Sequence, residues 1–285
     1  MIPVLNTCYG ARRMRSLVAV LVAVVFLAGC SGGESDARPT IVASSYPLAW
    51  AAERVAGDDY RVVNLTPAGA EPHDIELTPQ DVETIRDADL VVYLSGGFQP
   101  AVEDALAERA GPSIDARGAD VDPHIWLDPI RFSRAVEQVG RALGRPEAAS
   151  RVRAQLHEID ERYQEGLAQC SRSTFVTDHA AFGHLARRYG LSQLALVGIS
   201  PEAEPAPRAV EHLIDEVKSV GAPVVFAEPL VSDRLATTVA HGADVDVSVL
   251  DPIEGLTSAR LDAGDDYVSV MLDDLNALRK ALGCR

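Results

Sequence analysis

The sequence predicts an α/β protein made of two Rossmann-like lobes that are joined by a long, rigid connecting helix. From residue 39 onward, short apolar runs alternate with segments of helical period, which is the pattern of α/β layers. A helical stretch without any strand interrupts this alternation at residues 129–169. The chain has 285 residues, of which 47% are apolar, and this composition is sufficient for two ordinary cores.

The first lobe is predicted at residues 39–128. Its apolar runs are typical of strands, at residues 40–43, 61–65 and 90–94. Its helical periods are at residues 48–56, 78–86 and 100–109. The second of these helices opens with Thr78 and Pro79, a capping residue followed by proline at the first helical position.

Connecting helices are predicted at residues 129–170, and a second lobe at residues 171–285. The longer connecting helix has about 24 residues and a length of roughly 36 Å, which is enough to span two lobes. Strands of the second lobe are predicted at residues 174–177, 194–197, 223–227 and 245–250. Its helices are predicted at residues 180–189, 208–220, 234–241 and 265–282.

Residues 1–29 have the organisation of a signal peptide. Three arginines between residues 12 and 15 precede an apolar run at residues 17–28, which is shorter than the roughly 20 residues of a membrane-spanning helix. The signal is complete without residues 1–13, so translation starts at either Met1 or Met14.

The apolar run ends in Leu27-Ala28-Gly29-Cys30, which resembles a lipobox. Cleavage before Cys30 would leave this cysteine for acylation, whereas an ordinary signal peptide that ends at a cysteine by chance is the alternative. Residues 30–38 are polar and glycine-containing, as in a flexible tether. We therefore expect an extracytoplasmic protein that is held to the cell membrane by a lipid on Cys30.

The formal net charge is −16, and the first 29 residues carry three arginines and no acid, so the remainder is more acidic still. Such a chain is a poor nucleic-acid binder, because phosphate neutralisation requires lysine and arginine. The negative field could attract cations, or it could serve solubility alone.

Two cysteines remain outside the signal segment, Cys170 and Cys284. An isolated pair in an exported protein is expected to form a disulfide. The alternative, a pair of metal ligands, is weakly supported because neither cysteine has a CxxC spacing or a neighbouring histidine.

Three of the seven histidines and one aspartate occur in similar contexts in the sequence. His73, His124, His179 and Asp251 each follow a predicted strand or precede a helix, two in each lobe. Ligand sites in open α/β sheets form at the carboxyl ends of strands. Three imidazoles and one carboxylate complete a tetrahedral set for zinc. Glu228 also follows a strand and is expected to support one of these ligands from behind.

The other histidines lie on predicted helices and have ordinary interpretations as solvated or capping side chains. They are His157, His184, His212 and His241.

At these residues the sequence resembles the zinc-type solute-binding lipoproteins of metal-ion ABC transporters. The matching stretches are Gly-Ala-Glu-Pro-His-Asp at residues 69–74, Pro-His-Ile-Trp-Leu-Asp-Pro at 123–129, Asp-His-Ala-Ala-Phe-Gly at 178–183, Gly-Ile-Ser-Pro-Glu-Ala-Glu-Pro at 198–205, and Leu-Asp-Pro at 250–252. The similarity covers residues 40–284.

The resemblance implies a function and a site. It implies a monomer with two α/β lobes, a single rigid connecting helix and Zn²⁺ in the interlobe cleft, which is delivered to an ABC transporter membrane permease. By motif position it places the ligands at His73, His124, His179 and Asp251. Many relatives carry a His-rich loop before the second ligand, but residues 110–122 are short and contain no histidine.

The sequence leaves three alternatives open. Manganese or another divalent transition metal could be the ligand, although His179 favours zinc because manganese prefers harder oxygen donors. A zinc-dependent hydrolase would need an open coordination position, which Asp251 would fill, and the sequence has no HExxH motif. A surface adhesin without a transport role is the third alternative. We predict no catalytic residue.

Overall fold

Two four-stranded sheets form the framework of the protein. We obtained them from a computed structural model, which describes residues 38–201 and 205–285. The expected signal peptide, the lipidation site at Cys30 and the tether up to residue 37 lie outside these residues.

The first sheet has the strand order β2-β1-β3-β4 and all its neighbours are parallel. Its strands are β1 (Thr40–Ala43), β2 (Arg61–Asn64), β3 (Leu90–Tyr93) and β4 (Ser113–Asp115). Val42, at the centre of β1, pairs with Val63 on one side and Val91 on the other. These β-branched residues favour the strand conformation and pack against helices on the faces of the sheet.

The second sheet has the corresponding order β6-β5-β7-β8, again with parallel neighbours. Its strands are β5 (Thr174–Thr177), β6 (Ser192–Ala195), β7 (Val224–Ala227) and β8 (Asp246–Val249). The predicted pair of α/β lobes with the same layout is confirmed. Sequence patterning missed β4, since this edge strand has three residues and only one of them, Ile114, is apolar.

The helices of the described residues are α1 (Tyr46–Ala56), α2 (Pro79–Asp87), α3 (Pro100–Ala107), α4 (Pro129–Ala142), α5 (Pro146–Leu167), α6 (Gly183–Arg188), α7 (Pro207–Val220), α8 (Arg234–Ala243), α9 (Ser258–Asp262) and α10 (Tyr267–Leu282). The last predicted helix begins later than expected because the Asp266 carboxylate accepts hydrogen bonds from the backbone N–H groups of Val268 and Ser269 and caps α10 there.

The connecting helix α5 has 22 residues, about 33 Å of helix. It packs against α1 of the first lobe and against α10. The Tyr163 hydroxyl, which is fully buried, donates a hydrogen bond to the Met271 carbonyl oxygen of α10 at 2.6 Å. A single buried apolar cluster includes Ile41 of the first sheet and Phe226 of the second. The two lobes therefore share a core, and residues 38–285 form one compact unit.

The predicted disulfide is present. It joins Cys170, just after α5, to Cys284, just after α10. Backbone hydrogen bonds from Arg172 N to the Leu282 oxygen and from Ser171 N to the Gly283 oxygen lie beside it. The bridge attaches the last helix to the segment that leads into β5.

Across the part of the chain that the structure describes, we find no helix with the length and apolar character needed to cross a membrane.

Candidate metal centre

Four side chains converge where the ends of the two sheets meet. His73, His124, His179 and Glu254 each offer one donor atom, and these atoms all lie within 4.8 Å of one another. The Glu254 Oε1 atom is 3.1 Å from His73 Nε2, 2.8 Å from His124 Nε2 and 3.4 Å from His179 Nε2. A tetrahedral zinc ion with donors at about 2.0–2.2 Å requires donor separations of about 3.3–3.6 Å. The spacing of the four donors is therefore close to that of a zinc site.

Short turns after the strands position the histidines. His73 lies in a single 3₁₀ turn, Pro72–Asp74. Its backbone N–H donates a hydrogen bond to the Glu71 carboxylate at 3.0 Å. His124 and His179 each stand directly before a 3₁₀ turn, at Ile125–Leu127 and Ala180–Phe182. These turns follow the carboxyl ends of parallel strands, the edge of a sheet where ligands bind in α/β proteins.

The structure brings three of the four predicted ligands together and leaves Asp251 out. The Asp251 Oδ1 atom accepts a hydrogen bond from the backbone N–H of Ile253 at 2.8 Å, and Oδ2 lies 3.8 Å from the Arg260 guanidinium. The carboxylate in the group belongs to Glu254, three residues further along the chain. Asp251 was expected because it directly follows the strand predicted at residues 245–250, but the turn after Asp251 directs Glu254 to the histidines instead.

One signal in the sequence could have identified Glu254. It is the single charged residue between Pro252 and Leu256, a stretch that is otherwise apolar or glycine, and the entire stretch is buried. A charged side chain inside a buried segment requires a partner or a metal.

Two carboxylates contact histidine rings at Nδ1, the nitrogen that faces away from the other donors of the group. Glu228, as expected, contacts His179 Nδ1 with both oxygens at 2.7 Å, and its Oε1 also accepts the His179 backbone N–H at 3.1 Å. Asp122, which the sequence had not distinguished, lies 2.8 Å from His124 Nδ1. Such contacts fix the ring orientation and leave Nε2 for a metal.

The remaining histidines are outside the group. His157, His212 and His241 are exposed, as expected for solvated side chains. His184 is buried, with 2% exposure, and its Nε2 lies 2.9 Å from the Asp122 backbone oxygen. His184 thus stabilises the segment that carries Asp122 and His124.

Without a metal, the centre is a network of buried opposite charges. Burial disfavours protonation of His179, but hydrogen bonds to Glu228 and Glu254 outweigh it and raise its pKa to about 11. Burial likewise opposes protonation of His124, yet hydrogen bonds to Asp122 and Glu254 raise its pKa. Burial alone would raise the pKa of Glu254, but hydrogen bonds from the three histidines hold it well below its ordinary value.

Aromatic rings contact two histidines of the centre, and acidic residues close in sequence to His73 and His179 line a cavity. Phe98 and Trp126, both buried, pack edge-on against His73 and His124, with ring centroids 4.5 Å and 5.3 Å apart. A cavity of about 670 Å³ is lined in part by the acidic side chains of Glu71 and Asp178. Burial and the charge of Glu254 raise the pKa of Glu71 to about 8. Asp178 immediately precedes His179 in the chain, and Glu71 lies two residues before His73.

Two parallel-sheet lobes with a buried set of imidazole and carboxylate donors between them define an α/β protein with a candidate metal centre. The chain belongs to the ZnuA family, described as zinc-uptake complex component A, periplasmic, whose family model matches residues 41–281.

Similar proteins are found among curated sequences and solved structures. The zinc-binding lipoprotein AdcA of Streptococcus pneumoniae strain R6 is 33% identical over 302 residues, which cover 93% of this chain and 60% of AdcA. The chain thus spans less than two thirds of that relative. The Zn(II)-bound ZnuA-like domain of S. pneumoniae AdcA is 35% identical, with a TM-score of 0.73 and coverage of 86% of this chain and 99% of the domain.

A second solved structure is similar over nearly its whole length. It is the laminin-binding protein Lmb of Streptococcus agalactiae, described as bifunctional with adhesin and metal-transporting activity. It is 29% identical, with a TM-score of 0.78 and coverage of 86% of this chain and 99% of Lmb.

Proposed function

We propose that this protein captures Zn²⁺ outside the cytoplasm and delivers it to the membrane permease of an ABC-type importer. The observation that carries the proposal is the buried group of three imidazole nitrogens and one carboxylate oxygen within 4.8 Å of one another. The proposed ligands are His73, His124, His179 and Glu254, with Glu228 and Asp122 orienting two of the histidines.

The relatives support the identity of the cargo. AdcA is named as a zinc-binding lipoprotein, and the matching AdcA domain has been solved with Zn(II) bound. Membership of a family that forms one component of a zinc-uptake complex makes this chain a binding component and not an enzyme. The donor chemistry agrees, since three imidazoles favour zinc, whereas manganese prefers harder oxygen ligands.

The coordination set also argues against a hydrolase. A catalytic zinc keeps one position for the water that it activates. Here four protein donors surround the same point, and Glu254 is only 1% exposed. A complete set of four donors is suited to holding an ion, not to activating water on it.

The division of the ligands between the lobes suggests how capture and release proceed. His73 and His124 come from the first lobe and the segment after it, and His179 and Glu254 come from the second. Binding of Zn²⁺ pulls the ligand turns of both lobes onto one ion, and the permease then recognises this ordered surface. Because each half supplies two donors, a small separation of the lobes removes half of the coordination and weakens the binding of the ion.

We further propose that the protein is a monomer that is held to the cell membrane by a lipid on Cys30. The support is the lipobox-like sequence before Cys30, which lies outside the described residues, and the lipoprotein name of AdcA.

Metal analysis of the purified protein tests the cargo and the ligands. We expect about one zinc per chain in the wild type and almost none in His73→Ala/His179→Ala or Glu254→Ala. His157→Ala/His212→Ala is a matched control, since both histidines are exposed on helices away from the centre. Zinc-free wild-type protein after reloading, or full occupancy in Glu254→Ala, would contradict the proposed site.

Transport is tested separately in cells. Deletion of the gene should impair growth under zinc starvation, and the wild-type copy, but not the double variant, should restore it. Normal growth of the deletion strain without zinc would instead favour an adhesin role.

A further inference from the structure

The residue before the proposed ligand Glu254 has an unusual backbone. Ile253 has φ +57°. A β-branched residue is strongly disfavoured in this left-handed region, because its Cβ atom crowds the backbone. The only other non-glycine residue with positive φ in the described part of the chain is Asp244, at a helix end where this conformation is common. Backbone strain of this kind persists only where surrounding contacts impose it.

Three hydrogen bonds hold the turn at Ile253. The Asp251 Oδ1 atom accepts the Ile253 N–H at 2.8 Å, and the Asp251 backbone N–H donates to Asp274 Oδ1 at 2.9 Å. The Trp126 indole N–H donates to the Pro252 carbonyl oxygen at 2.7 Å. Proline restricts φ at position 252, and the Ile253 side chain is fully buried in the shared core.

The segment after the turn is tied to the loop that carries His73. The Leu256 carbonyl oxygen accepts a hydrogen bond from the Gly69 N–H at 2.9 Å. A Cβ atom on Gly255 would lie 3.3 Å from the Ala70 carbonyl oxygen, so the two backbones are in close approach. Glu254 is therefore the residue between a strained turn and a fixed inter-lobe contact.

We propose that Asp251 is a positioning residue, whose carboxylate holds Ile253 in the left-handed conformation and thereby sets Glu254 among the three histidines. Rotation of Ile253 to a negative φ would redirect the next residue, which is Glu254. The inference rests on the proposed zinc site and assigns Asp251 a hydrogen-bonding role in place of metal ligation.

The neutral side chain of asparagine separates these roles. Asp251→Asn keeps an oxygen that can accept the Ile253 N–H but removes the negative charge, whereas Asp251→Ala removes the acceptor and leaves a buried N–H unpaired. A ligand role or a charge role would make both variants defective. A positioning role makes only the alanine variant defective.

The experiment compares zinc affinity and cobalt spectra. Zinc dissociation constants come from competition with a chelator, and Co²⁺ serves as a probe because its visible absorption is stronger in four-coordinate than in six-coordinate sites. We expect Asp251→Ala to bind zinc about 10-fold or more weakly with a weakened cobalt band, and Asp251→Asn to remain within about threefold of wild type. Asp246→Ala, on the exposed strand β8, is the control.

The outcomes of this experiment support or overturn the positioning role of Asp251. Equal losses in Asp251→Asn and Asp251→Ala, or an unchanged affinity and cobalt band in Asp251→Ala, would overturn the positioning role. If Asp251→Ala does not fold, Trp126→Phe removes the hydrogen bond to Pro252 and keeps an aromatic ring. That folded variant should show the same weakening, and wild-type values in it would overturn the inference. A wild-type protein that binds no zinc would overturn the proposed function instead.

Discussion

At the scale of single residues, both ring nitrogens of two histidines have polar contacts. In His124 and His179, Nε2 faces the other donors while Nδ1 contacts Asp122 or Glu228. The supporting carboxylates increase the basicity of the imidazoles and determine which nitrogen carries the proton.

Removing the charge from the support of His179 should weaken metal binding. We expect Glu228→Gln to reduce zinc affinity about 10- to 100-fold, because the amide is a weaker acceptor for Nδ1–H than the carboxylate. Chelator competition provides the measurement. Glu216→Gln, an exposed position on α7, should retain wild-type affinity, and equal affinities in the two variants would show that Glu228 does not act on the site.

Changing the third imidazole to an oxygen donor should change metal preference. His179→Glu is expected to shift selectivity toward manganese, since carboxylate oxygen is a harder ligand than imidazole. The ratio of zinc to manganese affinity is measured in competition titrations. An unchanged ratio would refute the assignment of His179 as the residue that favours zinc.

At the scale of secondary-structure elements, α5 and α10 hold the lobes, and the disulfide joins their ends. Cys170 precedes β5 and His179 follows it, so the bridge and the metal centre are at opposite ends of one strand, which is about 13 Å long. Stability and metal affinity should therefore respond separately to loss of the bridge.

Cys170→Ser/Cys284→Ser should lower the free energy of unfolding by up to about 5 kcal/mol, since the bridge closes a loop with a sequence separation of 114. Denaturant unfolding of the metal-free protein measures the loss. Zinc affinity of the folded variant should remain near the wild-type value. A large loss of affinity would show that the bridge also positions the ligands.

At the scale of the whole molecule, the metal-free centre is stabilised by protons. The pKa of His179 is raised to about 11 from an ordinary value of 6.5, so its contribution to folding is complete below pH 6.5 and is lost as the pH rises toward 11. The pKa of Glu254 is lowered, so its contribution is present above its ordinary value of 4.5 and is lost in acid. Zinc competes with these protons.

Zinc binding at pH 7 should thus release at least one proton per ion, the one on His179. Calorimetry in buffers of different ionisation enthalpy measures this number. The increase in melting temperature on zinc addition should also be larger at pH 8 than at pH 6. A zinc effect that is independent of pH, with no proton release, would contradict the protonated state of the free centre.

Periodicity and strand-end chemistry in the sequence were sufficient to predict the two lobes, the connecting helix and the three histidines that the structure brings together. Apolar strands such as β3 and β7 are buried on both faces and stand out locally. His73, His124 and His179 could be predicted because ligand sites in α/β proteins lie at the carboxyl ends of parallel strands. The disulfide followed from the count of cysteines in an exported chain.

The tertiary structure decided which carboxylate completes the centre. Asp251 and Glu254 are three residues apart in one buried segment, and both have the chemistry of a ligand. The choice depends on the φ angle of Ile253, which contacts with Asp251, Trp126 and the shared core impose. Local sequence preference opposes this angle for isoleucine, so only long-range packing could establish it.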